Sequence, residues 1–347
     1  MLITGIDRRR ILRRIANALA AWACVLLVVL AGGGACAAFA AGGETSTRPM
    51  CGEVQVIGAP GHEDAPEAVR ELQLGLRLLA LFDYPIDGRY DPHTREAVRA
   101  FQRKAGIEPT GVAGPETMAA LARAFEREAR PLMAAQSAAA QEAPGPDDLL
   151  PHPGVEPGGY WIVIDTAHLN LTLYKDGKVQ GRWPIAVGKF TTMTPVGEWR
   201  IVDKGYAEGV FGTRWMGIDI PFGSYGIHGT NRPWSIGTYA SAGCIRMFNH
   251  DVEHLYDLVP EGTPVTITGV LPSLEWNIAL PAGTVDWHVP LLQWALRRHG
   301  FDPGRADARL GPGTMRAISE AQRVLGLPPV PAGTPDLFRA LGLRTGS

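Results

Sequence analysis

The stretch that decides the fold covers residues 160–187 and reads YWIVIDTAHLNLTLYKDGKVQGRWPIAV. Residues 161–164 form an apolar run typical of a buried strand, and residues 169–174 alternate apolar and polar side chains with the period of two that a strand requires. The pair Asp176-Gly177 is a tight-turn signal, after which a second apolar run returns. We therefore predict consecutive strands joined by a hairpin turn.

Outward from this stretch, the same domain continues with further strand signals. Residues 196–202 and 265–267 are apolar and β-branched, whereas only residues 251–258 have a clear helical pattern. A doubly wound α/β sheet alternates strands with helices, so this pattern excludes it. We predict one mainly-β domain over residues 159–270.

An internal repeat with an offset of 220 residues brackets this domain. The matching pairs are Leu72 and Leu292, Gln73 and Gln293, Asp87 and Asp307, Pro92 and Pro312, Thr94 and Thr314, Ala97 and Ala317, Val98 and Ile318, Gln102 and Gln322, Gly106 and Gly326, and Leu121 and Leu341. So many coincidences in one register indicate two copies of one small module, over residues 63–124 and 286–344.

Each module has the pattern of a three-helix bundle. The first helix of the first copy carries apolar residues at helical spacing, namely Val69, Leu72, Leu76 and Leu79. Asp91 precedes Pro92 as an N-cap, Gly106 ends that second helix, and Gly114 introduces the third. Residues 125–158, rich in Ala, Pro, Glu and Gln, and residues 271–285 are predicted as linkers, with the third helix prolonged to about residue 128.

The N-terminus has the pattern of an export signal over residues 1–41. A basic head from Arg8 to Arg14 precedes the apolar residues 18–31 and an Ala38-Phe39-Ala40 cleavage pattern. The arginine cluster also resembles a twin-arginine signal. The alternative is an uncleaved membrane anchor. Both place the body, which begins with a leader over residues 42–62, outside the cytoplasm in the periplasm or cell envelope.

Composition excludes several classes of protein. The chain has 347 residues, 46% of them hydrophobic and 20% charged, which is typical of globular domains. Five of its 33 basic residues and one of its 35 acidic residues precede Gly42, so the body carries a net charge of −6, which argues against nucleic-acid binding. Four cysteines do not make a disulfide framework, although Cys51 could pair with Cys244 in an oxidising compartment.

The chemistry concentrates in two segments, GIHGTN at residues 226–231 and SAGCIRM at residues 241–247. The Cys244 thiol could attack a carbonyl while the His228 imidazole accepts and returns the proton. Small residues before Cys244 leave room for a substrate carbonyl and free N–H groups, and Arg246 brings a positive charge that should favour the thiolate. Taken alone, one cysteine and one histidine sixteen residues apart are weak evidence, and a structural cysteine in a core strand is the more common interpretation.

Two other histidines are spaced as metal ligands could be. His250 and His254 lie one helical turn apart, but no His-Glu-x-x-His pattern accompanies them, so we interpret them as surface residues of the predicted helix. We predict no metal and no organic cofactor.

These motifs resemble known families. The segments 226–231 and 241–247 resemble the active-site signature of the YkuD-type L,D-transpeptidases, supported by AVGK at 186–189, TPVG at 194–197 and GTPV at 262–265. The two repeats resemble the peptidoglycan-binding module of wall hydrolases. The resemblance implies a multidomain α+β protein, in which a mainly-β L,D-transpeptidase catalytic domain is flanked by two small three-helix bundles.

Residue roles follow from the resemblance by position. It implies that Cys244 is the nucleophile and His228 the general acid/base, with the Gly229 carbonyl orienting the imidazole. The Gly243 and Cys244 amides would hold the oxyanion, and Arg246 would bind or polarise the substrate.

Three positions depart from the family patterns. Ala242 replaces the histidine that usually precedes the Gly-Cys pair, which puts rate and acceptor preference in question. In the second module, Ala308 replaces the glycine after the aspartate and Ala321 replaces an aromatic residue, so its binding role is less secure than its fold.

The implied activity is transfer through a cysteine thioester between peptidoglycan stem peptides, with a second stem, a wall-anchored lipoprotein or a D-amino acid as acceptor. Two alternatives stay open: an L,D-endopeptidase in which water replaces the acceptor, and a wall-binding protein without catalysis. Membrane contact is expected only through an uncleaved N-terminal segment.

Overall fold

The computed structural model describes residues 56–59, 64–139, 155–271 and 274–343. The predicted export signal and Cys51 lie outside the described residues. Within the described part of the chain, every helix is too short or too polar to cross a bilayer. The described residues form two compact units, the first made by those up to 132 together with residues 230–235, and the second by the remainder of the described residues.

The first unit contains the predicted three-helix module, made by α1 (Pro66–Leu78), α2 (Pro92–Ala105) and α3 (Pro115–Ala139). Asp91 caps α2 by accepting a hydrogen bond from the Thr94 N–H at 2.8 Å, and Gly106 ends it in a left-handed conformation with φ of 71°. Both predicted helix signals are therefore confirmed. The apolar faces of α1 and α2 supply the fully buried Leu72 and Val98.

This module extends beyond its predicted bounds at both ends. Ile57, in the predicted leader, is buried and pairs with Ala113. α3 continues to Ala139, into the predicted linker, because its alanines, arginines and glutamates favour a helix and because Phe125 and Ala129 are buried one turn apart. The bundle's apolar contacts therefore reach further along the chain than its sequence motif.

Residues 230–235 belong to this same unit. Arg232 pairs with Glu71 of α1 at 2.5 Å, and the buried Trp234 packs edge-on against Phe125, with ring centroids 6.3 Å apart. Gly75 lies so close to the Trp234 ring that a Cβ there would approach it to 2.9 Å.

The second unit is built on one mixed sheet, which confirms the predicted mainly-β domain. Its strands are β1 (Tyr160–Asp165), β2 (Asn170–Lys175), β3 (Lys178–Pro184), β5 (Gly197–Tyr206), β6 (Arg214–Ile218), β7 (Tyr225–His228), β9 (Ile245–Arg246) and β10 (Pro264–Thr268), in the order β3-β2-β1-β10-β5-β6-β7-β9. A small parallel pair, β4 (Val187–Gly188) with β8 (Tyr239–Ser241), and helix α4 (Asn249–Leu258) complete the domain.

The second module, in the same unit, has α5 (His288–Arg298), α6 (Pro312–Val324) and α7 (Pro335–Ala340), with β11 (Leu280–Pro281) paired to β12 (Ala332–Gly333). The predicted linker 271–285 is therefore partly wrong. Trp276 and Leu280 are buried in the module's core because their large apolar side chains fill space between its helices.

Both modules share one buried polar frame. The Gln73 amide donates to Asp87, to the Arg89 carbonyl and to Thr94, over 3.0–3.1 Å. Gln293 repeats these bonds to Asp307, Arg309 and Thr314 over 2.9–3.2 Å. The repeated glutamine, aspartate and threonine are therefore conserved between the copies for structural reasons, since a buried amide requires partners.

Candidate active site

Two adjacent strands bring the cysteine and histidine segments together. β7 and β9 run parallel, with Ile227 paired to Ile245 and His228 paired to Arg246. Cys244 directly precedes β9, two residues before Arg246. This register places the segment that carries Cys244 beside the strand that ends at His228. The Arg246 charge acts on both groups, in agreement with that arrangement.

His228 is held by its own backbone neighbour. Its Nδ1 lies 2.5 Å from the Gly229 carbonyl oxygen. A carbonyl only accepts, so Nδ1 carries the proton and the neutral ring keeps Nε2 as its proton acceptor. A side chain at position 229 would displace Asn249, because a Cβ there would lie 2.2 Å from Asn249 Oδ1.

Two aromatic side chains that the sequence reasoning missed enclose this imidazole. Trp215 stacks on His228 with ring centroids 5.7 Å apart and planes 21° apart, and Phe211 meets it edge-on at 5.0 Å. Trp215 Nε1 also donates to Asp203 Oδ1 at 3.3 Å. Both rings come from β6 and the 3₁₀ turn before it, and no local motif marks them.

Burial determines the protonation of His228. Loss of hydration, reinforced by the positive charge of Arg246, lowers its pKa to about 3, against the smaller opposing effect of the Gly229 hydrogen bond. The imidazole is therefore neutral at pH 7 and able to accept a proton.

Cys244 is a free, half-buried thiol whose Sγ lies 3.9 Å from the Ser224 carbonyl oxygen. Burial raises its pKa, and this outweighs the lowering by the Gly226 N–H and by Arg246. Arg246 favours the thiolate as expected, but desolvation of the charged sulfur is the larger effect, so the net shift of the pKa is upward. The pair rests as neutral thiol and neutral imidazole.

Gly243 has a backbone conformation that suits only glycine, with φ of 122°. A Cβ at this position would lie 2.7 Å from Tyr225 Cε1, so the tyrosine ring packs directly on this peptide. The Gly243 N–H donates to Ser241 Oγ at 3.0 Å. The predicted oxyanion donor is thus engaged within the loop, because the Ser241 hydroxyl folds back towards it, and it would have to exchange partners to hold a substrate.

The motifs at residues 186–189 and 194–197 hold the loop that contains Gly243 in place. Thr194 Oγ1 donates to the Gly243 carbonyl at 2.9 Å and accepts from the Gly188 N–H at 2.9 Å. Ala186 exchanges two backbone hydrogen bonds with Arg246, of 2.8 and 2.9 Å. The exposed Ala242 side chain, where the family has histidine, leaves that position open to solvent.

The remaining histidines do not assemble a metal site in the described ranges, where no group of three metal-ligating side chains occurs. His254 meets the Trp183 ring at 5.9 Å and His250 lies 3.6 Å from Asp251. The two histidines therefore contact different side chains and share no partner in these contacts.

Sequence profiles of two families match the chain. The YkuD family, described as "L,D-transpeptidase catalytic domain", matches residues 159–267. The family described as "Putative peptidoglycan binding domain" matches residues 65–121 and 288–330. The two matches coincide with the sheet domain and the two helical modules.

Individual relatives agree with these matches. "Putative L,D-transpeptidase YkuD" of Bacillus subtilis is 45% identical over 119 residues, which cover 34% of this chain and 70% of the relative. "Putative L,D-transpeptidase YqjB" of the same organism is 36% identical over 135 residues, covering 34% and 77%. The solved catalytic domain of an E. faecium L,D-transpeptidase is 28% identical and has a TM-score of 0.28, over 32% of this chain and 98% of that one.

Proposed function

Because this chain belongs to the YkuD-type L,D-transpeptidase family, we propose that it transfers peptidoglycan stem peptides through a thioester on Cys244. The observation that carries the proposal is the β7–β9 register, which brings the segment that contains the Cys244 thiol beside the strand that ends at the neutral His228 imidazole. We further propose export to the periplasm or cell envelope through residues 1–41, since the substrate is found there.

The proposed first half-reaction forms an acyl-enzyme. Sγ of Cys244 bonds to the carbonyl carbon between the third stem residue and the terminal D-alanine, and the C–N bond to D-alanine breaks. The thiol proton passes to Nε2 of His228 and then to the leaving amine. A neutral resting pair fits this order, because the proton leaves sulfur only as the attack develops. The Gly229 carbonyl stabilises the transient imidazolium through Nδ1–H.

The second half-reaction regenerates the free Cys244 thiol. An amine from another stem, from a wall-anchored lipoprotein or from a D-amino acid attacks the thioester, the C–S bond breaks and a C–N bond forms. The amine proton passes through His228 to the departing sulfur. Oxyanion stabilisation by the Gly243 and Cys244 amides, and substrate binding by Arg246, remain parts of this proposal.

Incubation of the purified protein with disaccharide-tetrapeptide muropeptides tests the proposal. We expect cross-linked dimers and free D-alanine, neither of which Cys244→Ala should produce. Conversion to shortened monomers without dimers would instead support hydrolysis, the endopeptidase alternative. No product from the folded wild type, with or without an added D-amino acid acceptor, would contradict catalysis and leave the wall-binding alternative.

A further inference from the structure

The second module is hydrogen-bonded to the catalytic sheet through a buried carboxylate. Glu198 of β5 is completely buried, and its Oε1 accepts from Trp294 Nε1 at 3.1 Å and from the Arg297 guanidinium. Its Oε2 accepts from the Ala306 N–H at 2.9 Å, while its own N–H donates to the Ala306 carbonyl at 2.8 Å. This contact therefore provides hydrogen-bond partners for buried polar groups of both the sheet domain and the second module.

Apolar packing across this contact is equally continuous. Ala308 of the module is fully buried in the core cluster of the sheet, and Val196 of the sheet domain belongs to the module's core cluster. Ala308 occupies a left-handed conformation, with φ of 62°, where the first module has Gly88. The alanine that departs from the module pattern thus supplies a docking methyl group.

Most residues that make the contact differ between the two copies, although Arg297 corresponds to Arg77. At the 220-residue offset, Trp287 corresponds to Glu67, Trp294 to Leu74, Arg305 to Pro85, Ala306 to Ile86 and Ala308 to Gly88. Inside the module, the Gln293 amide keeps the three hydrogen bonds that the Gln73 amide donates in the first copy. The second copy therefore keeps the fold and has acquired a surface that fits the catalytic domain.

Part of this surface reaches the loop that leads into β7, residues 219–225, hereafter the thiol-flanking loop. Arg305 pairs with Asp219 at 2.7 Å at the start of the loop. Trp287, at the beginning of α5, lies on Phe222 with ring centroids 5.3 Å apart. The module thus contacts the loop at two points.

The other end of the loop touches the nucleophile. The Phe222 ring meets Tyr225 edge-on at 6.5 Å, and the Tyr225 ring packs on Gly243. The Ser224 carbonyl lies 3.9 Å from Cys244 Sγ. A chain of packed rings therefore leads from Trp287 of the module to the peptide that precedes the thiol.

We propose that the second module is a brace for the thiol-flanking loop, in which Trp287 is a positioning residue that acts on Cys244 through Phe222 and Tyr225. The proposal rests on the function proposed above. It predicts that removal of the Trp287 ring loosens the loop and displaces the thiol without unfolding the module, because the Glu198 contact remains.

The test compares Trp287→Ala with Trp294→Leu in the full-length protein. Trp294→Leu restores the residue of the first copy and removes a Glu198 hydrogen bond, so it weakens docking without touching the loop. Two rates are measured below both melting transitions: acylation of Cys244 by a carbapenem, and its alkylation by iodoacetamide, read at that residue by mass spectrometry.

We expect Trp287→Ala to slow acylation roughly tenfold, since small misplacements of a reacting atom are costly, and to alter the alkylation rate. Trp287→Phe should recover most of the acylation rate, and Trp294→Leu should lower Tm while leaving both rates unchanged. The proposed brace would be contradicted if folded Trp287→Ala reacted at the wild-type rates, or if Trp287→Ala and Trp294→Leu slowed the reactions equally. A wild type that is never acylated would contradict the proposed function, and the alkylation comparison would still decide the brace.

Discussion

At the scale of single residues, the sequence predicts which two side chains form the proposed reactive pair, and their protonation depends on the folded structure. His228 and Cys244 follow from a local motif, and the hydrogen bond from His228 to the Gly229 carbonyl lies where the resemblance puts it. The enclosure of the imidazole by Trp215 and Phe211 depends on a distant hairpin. That enclosure, rather than the nearby charge, dominates the electrostatics of the site.

The depressed pKa of His228 makes a prediction about stability. With a folded pKa of about 3 and an unfolded value of 6.5, the unfolded state binds more protons between these two pH values. Stability is then fully present above pH 6.5 and lost as pH falls towards 3. For this group alone, we expect a loss of about 2 kcal/mol between pH 7 and pH 5.

Chemical denaturation of the wild type and His228→Gln at both pH values checks this, because other titrating groups are common to the two proteins. The stability difference between pH 7 and pH 5 should be smaller in His228→Gln by that amount. Equal pH dependence in both proteins would show that His228 is not desolvated as the structure has it.

At the scale of elements, β5 depends on a carboxylate whose partners lie about a hundred residues further along the chain. We expect Glu198→Ala to destabilise the protein by about 3 kcal/mol, because it leaves the guanidinium of Arg297 buried without its partner. Adding Arg297→Met should recover most of this loss, since it removes the unpaired charge. Denaturant titration of both single variants and of the double variant measures the energetic coupling between Glu198 and Arg297. If the stability loss of the double variant equalled the sum of the two single losses, the two side chains would not be coupled and the prediction would be contradicted.

Local helix and strand signals were largely sufficient to predict where the elements lie in the sequence. The cap at Asp91, the stop at Gly106 and the strand β2 are local and were predicted, although β2 is buried on both faces. The extension of α3 and the burial of Trp276 were missed, because each depends on an apolar partner surface that is visible only after the chain has folded.

At the scale of the whole molecule, the two modules have diverged. The first exposes Tyr84 stacked on His93 with ring centroids 3.9 Å apart, and the corresponding positions of the second are Gly304 and Gly313. An aromatic face of this kind packs well against the C–H face of a sugar ring. We therefore expect the first module, through this stack, to bind the glycan strand of the wall.

Co-sedimentation with purified sacculi tests this expectation. Replacing Tyr84 and His93 together by alanine should lower the retained fraction several-fold, because the second module lacks an equivalent surface. Tyr206→Ala, which removes another highly exposed aromatic ring, is the matched control and should be retained like the wild type. Unchanged retention of the double variant would place wall binding elsewhere.

Local patterns in the chain were enough to predict the mainly-β domain, the family resemblance and the proposed reactive pair, because periodicity, helix caps and motif spacing involve residues that are neighbours in sequence. The neutral resting pair, the engaged Gly243 amide and the docking of the second module required the folded structure. Each arises from burial or from contacts between residues far apart in the chain, such as Glu198 with Arg297 and Trp287 with Phe222. Desolvation and packing are properties of the assembled interior, and no local stretch of sequence encodes them.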